Sequence, residues 1–517
     1  MTHLTIPICG KDLNTCREQI SSAVNAGAEM LELRTDYIQS LDSGKLQELI
    51  AAGKKTGLPI IVTCRDASQG GQNNLPAPLR KQMLIEAVKN GADLIDCEFA
   101  NFIKEDFGED IKKVLEENKK TKLILSEHNF KEPFDDLAEI YEEMYSVYPD
   151  AIAKTAYQAN HINDCFAAFD VMREYGEKAI AICMGQAGII SRIITKKLGG
   201  FLTFASIGDN QGTAPGQVSI DKMNNLYRFD TINKGTELFG VIADPVGHSI
   251  SPAVHNACFA AKKINAVYLP LFVSGGKSEF DNFLNNITSR PWLGFKGFSV
   301  TIPHKVNALE YAQEKGEQID PVAVRIGAVN TLVIGINERI NGCNTDYAGA
   351  LDALTGAMGI SRKQLKGKTV GCFGAGGVAR AIVAGLADVG AKITIYNRTV
   401  EKAQGLAHEF ECHFASIDEI QNLNADIIIN CTSIGMHPNV NESPISAEHL
   451  KSTQTVFDTV YNPFETQLLQ DAKKAGAKIV NGAEMFIYQA AEQFKLFAQT
   501  DCPTDVIRKA VLKALNL

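Results

Sequence analysis

No stretch of 18 apolar residues occurs in the 517-residue chain, so nothing in it reads as a membrane span. No Lys/Arg-rich run is present either. The 51 basic residues stand against 60 acidic ones, for a formal net charge of -9, and the electrostatic footprint of a nucleic-acid binder is missing. The opening residues MTHLTIPICG carry neither the charged n-region nor the long apolar h-region of a secretory signal. The 12 cysteines are scattered without a C-x-x-C pair. That excludes a zinc ribbon or a disulfide scaffold, leaves no metal site to expect, and suggests reduced thiols in the cytoplasm. Low-complexity segments and short tandem repeats are also lacking. What remains is ordinary globular composition, 45% hydrophobic and 21% charged, at a length that suits about three domains.

What the chain does have is rhythm. Short apolar runs stand at residues 4–9, 30–34, 60–65, 94–99, 123–128, 151–157, 179–184 and 201–206, with starts 22 to 34 residues apart. Between them lie segments of helical periodicity, such as CREQISSAVNAG and IKKVLEENKK. Buried strands alternating with helices imply βαβ units. Eight such units within about 220 residues predict an N-terminal (β/α)8 barrel; a doubly wound open sheet is the alternative. Several runs carry polar groups at their C-terminal ends, where barrel enzymes build their sites: Glu32 and Arg34, Arg65, His128, Lys154 and Ser206. Lys154 closes the apolar stretch 151–155, a costly place for a lysine unless it is paired or used.

The rhythm breaks near YRFDTINKGTELFG, where residues 233–236 form a polar, turn-rich linker. Further strands follow at LFGVIAD, AVYLPLFV and FKGFSVTI. The segment KTVGCFGAGGVARAIVAGLADVGAKITIYNRT then reads as strand, Gly-rich turn, helix and strand. Its turn, Gly374, Ala375, Gly376, Gly377, Val378 and Ala379, matches G-x-G-x-x-A in the context that mechanism requires. The glycines let the backbone approach a pyrophosphate, which sits on the helix N-terminus. The second strand ends in Tyr396, Asn397, Arg398 and Thr399, without the acid that would hold a free ribose 2′-hydroxyl. An Arg there suits a 2′-phosphate, so the expected cofactor is NADP.

Residues 237–517 resemble shikimate dehydrogenase along their whole length, through GVIADPVGHSISPAVHN, GFSVTIPHK, IGAVNTL, GCNTDYAG, GAGGVARA, NRT, NCTSIGM and NGAEMFIYQAAEQF. The resemblance implies a shikimate-binding α/β domain at 237–343, a Rossmann NADP domain at 344–482, and C-terminal helices at 483–517 that return to the substrate domain. It makes Lys305 the proton donor to the ketone oxygen, with Asp346 holding it and a substrate hydroxyl; taken alone, both are polar loop residues. Ser249 and Ser251 would bind the substrate carboxylate, the alternative being a turn or helix cap before Pro252. Thr301, Asn330, Tyr461 and Gln489 would bind hydroxyls or the carboxylate. Asn397, Arg398, Thr399, Thr432 and Gly482 would join the glycine turn at the cofactor. Ser299 stands where many bacterial relatives carry Asn, though plant bifunctional relatives share the Ser.

Residues 1–230 resemble type I 3-dehydroquinate dehydratase, through ELRTD, VTCRDASQGG, SEHNF, AIAKTAY, MGQAGIISRI and TAPGQ. The resemblance implies that Lys154 forms a Schiff base with the substrate ketone, as a desolvated amine can. His128 would move the protons, and Arg192 would clamp the substrate carboxylate. Glu32, Arg34, Arg65, Thr213 and Gln217 would bind hydroxyls and shape the pocket. One departure stands out. Gln69 occupies the position of a carboxylate thought to orient the histidine, and an amide cannot stabilise an imidazolium by charge. Thr213 replaces a common Ser and keeps the hydroxyl.

Together the two resemblances imply a bifunctional shikimate-pathway enzyme. The first half dehydrates 3-dehydroquinate to 3-dehydroshikimate, and the second reduces that product to shikimate with NADPH. Two rivals stay open: a second half that prefers quinate, and a barrel that has lost catalysis through Gln69 and serves as a structural partner. Thr301 and the Ser249/Ser251 pair favour shikimate, because quinate-preferring relatives often depart there. Oligomeric state is not legible.

Overall fold

Eight strands alternate with helices in the first half: β1 (His3–Ile8), β2 (Met30–Arg34), β3 (Ile60–Thr63), β4 (Leu94–Glu98), β5 (Lys122–Asn129), β6 (Ile152–Gln158), β7 (Ala179–Met184) and β8 (Leu202–Phe204). The structure is a computed structural model and describes residues 2–209, 212, 214–247, 249–335 and 338–515. The strands pair in the order β7-β6-β5-β4-β3-β2-β1-β8, all parallel. Across the remaining seam the Phe201 N–H donates to Ala179 O at 2.9 Å. The sheet therefore closes into a barrel rather than staying open. Asp12, Asp42 and Asp136 cap three outer helices by accepting the N–H of Thr15, Lys45 and Glu139.

The period of two along each strand sorts the inward side chains into layers. Met30, Ile61, Leu94, Ile124, Ile152, Ile180 and Leu202 form an apolar ring in the barrel core. Two residues further along their strands stand Glu32, Thr63, Asp96, Ser126 and Lys154, all buried. Two further on are Arg34, Arg65, Glu98 and His128. Lys154 is thus the third of the seven residues of β6 and not its end. The strand continues through Thr155–Gln158 because Ala156 and Tyr157 still face buried surroundings.

The chain divides into two compact units: Met1–Leu238 with Asp244–Gly247 and Asn265–Gly294, and Phe239–Ala243 with His248–Ile264 and Phe295–Leu517. The boundary falls inside β9 (Glu237–Ala243), whereas β10 (Ala266–Phe272) and the helix Lys277–Thr288 lie wholly in the first unit. That helix and the turn after it pack on the barrel. Arg290 donates to Asp170 through Nε at 3.0 Å and Nη2 at 2.7 Å, Arg173 lies over the Trp292 ring, and Phe166 meets Phe283. The expected linker is a pinned turn: Thr236 is buried, and Lys197 Nζ donates to Lys234 O and Thr236 O at 3.2 and 2.6 Å.

In the second unit, β11 (Phe295–Val300), β12 (Thr331–Ile334) and β13 (Ile340–Cys343) form an antiparallel meander. The remaining strands are β14 (Thr369–Phe373), β15 (Lys392–Asn397), β16 (His413–Ser416), β17 (Ile427–Asn430), β18 (Thr455–Asp458) and β19 (Lys478–Val480). They make a parallel sheet in the order β16-β15-β14-β17-β18-β19. The order reverses between β14 and β17, and such a switch point is where doubly wound sheets bind nucleotides. No helix among the described residues is long and apolar enough to cross a membrane.

Candidate active sites

The barrel mouth brings together Glu32, Arg34, Arg65, His128, Lys154, Arg192 and Gln217, with Gln69 beside them. Thr213 lies outside the described residues. Lys154 Nζ donates to Asp96 Oδ2 at 2.7 Å and lies 3.6 Å from Glu32 Oε1. Asp96 is shared: Arg65 Nη2 donates to Oδ2 at 2.9 Å, and Ser126 Oγ donates to Oδ1 at 2.6 Å. Arg65 Nη1 also donates to Glu98 and to Ser126. Burial works to raise the Asp96 carboxyl, but Arg65 and Lys154 overrule it and hold it well below the usual carboxylate range. Glu32 accepts from Thr63 Oγ1 at 2.9 Å.

His128 Nδ1 lies 3.0 Å from Gln69 Oε1. Burial first, then the Arg65 and Lys154 charges, push the imidazole well below its ordinary range, while Asp96 opposes them. That environment favours the neutral ring, the form a general base requires. Arg34 is held bidentately by Asp36, with both N–H···O distances 2.9 Å. Arg192 differs from the other two arginines. It is 1% exposed, makes no ion pair among the described residues, and has Nε without a partner; Nη2 reaches only Pro215 O at 3.4 Å. Burial lowers its pKa to about 10, with Cys183 opposing. A buried guanidinium lacking an acid is a ready partner for a ligand carboxylate.

The second unit holds a separate polar cluster. Lys305 Nζ donates to Asp346 Oδ2 at 2.6 Å, and Asn330 Nδ2 donates to Asp346 Oδ1 at 2.9 Å. Lys305 and Asp346 are not loop residues: each is the first residue of a helix, Lys305–Glu314 and Asp346–Met358. An aspartate at that position is favoured by the helix dipole. Gln489 lies on the helix Gly482–Ala498, 9% exposed, and donates to Phe486 O. Gly349 lets the two helices touch, since a Cβ there would stand 2.7 Å from Gln489 N. Ser249 Oγ accepts the Ser251 N–H at 3.3 Å, and Ser251 opens the helix Ser251–Ala261. Thr301 N–H donates to Ile242 O, and Tyr461 is 37% exposed against Phe486.

The glycine turn is placed as a dinucleotide cradle. Gly374 has φ +112°, and a Cβ there would lie 3.1 Å from the Cys431 carbonyl and the Thr432 methyl, so only glycine fits. A Cβ on Gly376 or Gly377 would meet nothing within 4 Å, which leaves the N-terminus of the helix Gly377–Asp388 open to a ligand. Thr432 Oγ1 donates to Asn430 Oδ1 at 2.7 Å, and Asn430 Nδ2 donates to the buried Asp458 at 3.0 Å. Asn397 Nδ2 turns to Thr399 O. Arg398 is exposed and makes no ion pair among the described residues. These residues fit a 2′-phosphorylated dinucleotide. No cluster of potential metal ligands is found among the described residues.

Comparison with known proteins divides the chain in the same way. Residues 4–234 match the type I 3-dehydroquinase family. Residues 241–332 match the shikimate dehydrogenase substrate binding domain, 357–459 the shikimate/quinate 5-dehydrogenase family, and 482–512 the shikimate 5′-dehydrogenase C-terminal domain. The chloroplastic bifunctional 3-dehydroquinate dehydratase/shikimate dehydrogenase of Arabidopsis thaliana is 35% identical over 518 residues, covering 97% of this chain and 82% of that one. The chain belongs to the bifunctional 3-dehydroquinate dehydratase/shikimate dehydrogenase family. Its first half is a lyase and its second an oxidoreductase. A shikimate dehydrogenase (NADP(+)) of Methanosarcina mazei is 42% identical over 289 residues, 54% of this chain and 99% of that protein. A solved shikimate dehydrogenase in complex with NADP+ aligns with TM-score 0.50 at 39% identity, covering 55% of this chain and 97% of that one.

Asp96, Glu98 and Ser126 of the dehydratase half are not among the residues expected from the sequence. The signal was present: in the run LIDCEF the two acids sit at alternate positions, the spacing of one strand face. Asp36, which holds Arg34, was likewise missed.

Proposed function

We propose that the dehydratase half works through Lys154 as a Schiff-base nucleophile on 3-dehydroquinate. The observation that carries this reading is a single cleft containing a buried lysine, a histidine 3.0 Å from Gln69 and an arginine without an acid partner among the described residues. Arg192 takes the substrate carboxylate. The ion pair between Lys154 and Asp96 opens, His128 takes a proton from the ammonium, and the free amine adds to the ketone. That proton returns from His128 to the carbinolamine hydroxyl, which leaves as water to give the iminium. His128 removes the neighbouring C–H proton as electrons flow into the iminium, then returns a proton to the departing hydroxyl; hydrolysis frees 3-dehydroshikimate and the lysine. Arg65, engaged by Asp96, Glu98 and Ser126, holds the carboxylate against Lys154.

The dehydrogenase half, in this reading, reduces 3-dehydroshikimate to shikimate. NADPH bound at the glycine turn supplies the hydride. Lys305 delivers the proton to the ketone oxygen, Asp346 keeps Nζ aimed, and Asn330 fixes Asp346. Ser249 and Ser251 receive the substrate carboxylate, while Thr301, Tyr461 and Gln489 meet the hydroxyls. Gly374–Ala379, Asn397, Arg398, Thr399, Thr432 and Gly482 line the dinucleotide side. The proposed domains are 1–230, 237–343, 344–482 and 483–517. The 12 cysteines, none in a disulfide, support a reducing compartment, here taken as the cytoplasm. The test is a coupled assay: 3-dehydroquinate and NADPH, given to the purified chain, should consume NADPH without any added enzyme. Parallel turnover of shikimate and quinate decides between those substrates.

Two variants follow. Gln69→Glu should raise dehydratase turnover about tenfold, because a charge 3.0 Å from Nδ1 stabilises the imidazolium formed in the reaction. The acid limb of the pH profile, set low by the depressed His128, should move up. Steady-state rates across pH check this, and an unchanged or lower rate would show that Gln69 is not limiting. Arg398→Ala should weaken NADPH by about tenfold to a hundredfold through lost charge-assisted bonds, and barely change NADH. The ratio of kcat/KM for the two cofactors is the measurement; a ratio that does not move would withdraw this loop from the 2′-phosphate.

A further inference from the structure

Most polar side chains buried between a helix and a sheet have their groups satisfied, and one that does also orients whatever it touches. Gln493 is such a residue. It lies one turn beyond Gln489 on the helix Gly482–Ala498 and is 2% exposed. Its Nε2 donates to Asn330 O at 3.2 Å and to Thr331 Oγ1 at 2.9 Å, and its Oε1 accepts from Ser299 Oγ at 2.8 Å. The direction is forced. A backbone carbonyl only accepts, so the amide nitrogen must face Asn330 and the oxygen must face the Ser299 hydroxyl.

From there the bonds run to the reacting pair. Thr331 Oγ1, already accepting from Gln493, donates to Asn330 Oδ1 at 2.7 Å. The same oxygen accepts the Thr345 N–H at 2.8 Å. With its oxygen so occupied, the Asn330 carboxamide must point Nδ2 at Asp346 Oδ1, 2.9 Å away, and this leaves Oδ2 for Lys305.

We propose that Gln493, anchored by Ser299, is a positioning residue of the dehydrogenase reaction, setting the orientation of the Asn330 carboxamide that places Asp346 against Lys305. This rests on reading Lys305 and Asp346 as the proton-transfer pair. It also accounts for Ser299, whose hydroxyl serves the helix through Gln493.

The test is a set of variants of the full chain, with dehydratase activity and NADP+ binding as folding controls. Gln493→Met keeps the volume and removes the bonds. It should lower dehydrogenase kcat about tenfold while KM for shikimate and for NADP+ stays within about twofold. Gln493→Glu keeps the shape but offers at most one donor where the amide serves both Asn330 O and Thr331 Oγ1, and should not keep the wild-type rate. Ser299→Ala should lose part of the rate, and Ser299→Thr should recover it. A Gln493→Met enzyme with wild-type kcat overturns the proposal, as does one whose loss lies wholly in KM. If Gln493→Met fails to bind NADP+, Thr331→Val and Ser299→Ala decide: wild-type kcat in both overturns it. Failure of the underlying reading looks different. In that case Lys305→Ala and Asp346→Asn would themselves keep their rate.

Discussion

Lys154→Ala should lose dehydratase turnover by roughly 10³- to 10⁶-fold, the scale on which losing a covalent nucleophile is felt. Dehydrogenase turnover should be unchanged, because Lys305 and Asp346 belong to the other compact unit. Borohydride with 3-dehydroquinate should add a mass to the Lys154 peptide of the wild type and none to the variant. An adduct that still forms in Lys154→Ala would remove Lys154 from this role. No adduct in the wild type would favour a barrel kept as a structural partner. The substitution has a second cost. It strips one of two cations from the buried Asp96, 2.7 Å away. Arg65 stays at 2.9 Å, so the stability cost should fall below the about 3–5 kcal/mol of a wholly uncompensated buried charge. Lys154→Arg keeps the charge and cannot form an imine, so its rate should fall as far with a smaller loss of melting temperature. That comparison separates lost chemistry from lost folding.

Lys305→Ala should lower dehydrogenase kcat about 10²- to 10⁴-fold, the usual worth of a positioned general acid. The dehydratase rate of the same preparation should stay at wild type, and NADP+ should still bind, since the Gly374 turn and Arg398 are untouched. Lys305 is partly exposed, with 25% of its side chain accessible, so its loss leaves Asp346 to water and not to a dry core, and the stability cost should be small. Stopped-flow single turnover with NADPH and 3-dehydroshikimate is the measurement. A single-turnover rate equal to wild type would mean that the proton comes from elsewhere and that Lys305 only binds.

The regular part of the molecule was legible in the chain because it is written in local periods. Strands buried on both faces read as apolar runs, and the runs at 179–184 and 30–34 coincide with β7 and β2. The ends of those runs also marked Glu32, Arg65 and His128 as candidates, since barrel sites lie at the C-terminal ends of strands. The glycine turn was legible for the same reason: φ +112° at Gly374 is a local demand that only glycine meets without strain. The dehydratase and dehydrogenase motifs carried the rest of the site as resemblance. Lys154 was mislocated by a few residues because an apolar run does not say where its strand stops.

What no local pattern contains is who faces whom. Lys154 and Asp96 are 58 residues apart, His128 and Gln69 are 59 apart, and Ser299 and Gln493 are 194 apart. Each of these pairings is set by barrel stagger or by the seating of one helix on a sheet, and a slip of one residue in a strand would turn its side chains to the other face. The tertiary structure alone therefore decided that Asp96 is shared by Lys154 and Arg65, that Arg192 has no acid partner among the described residues, and that a glutamine beyond the substrate residues holds Asn330. Burial makes those choices binding: in a dry interior a charge or an amide must find its partner, and only the folded packing says which partner is in reach.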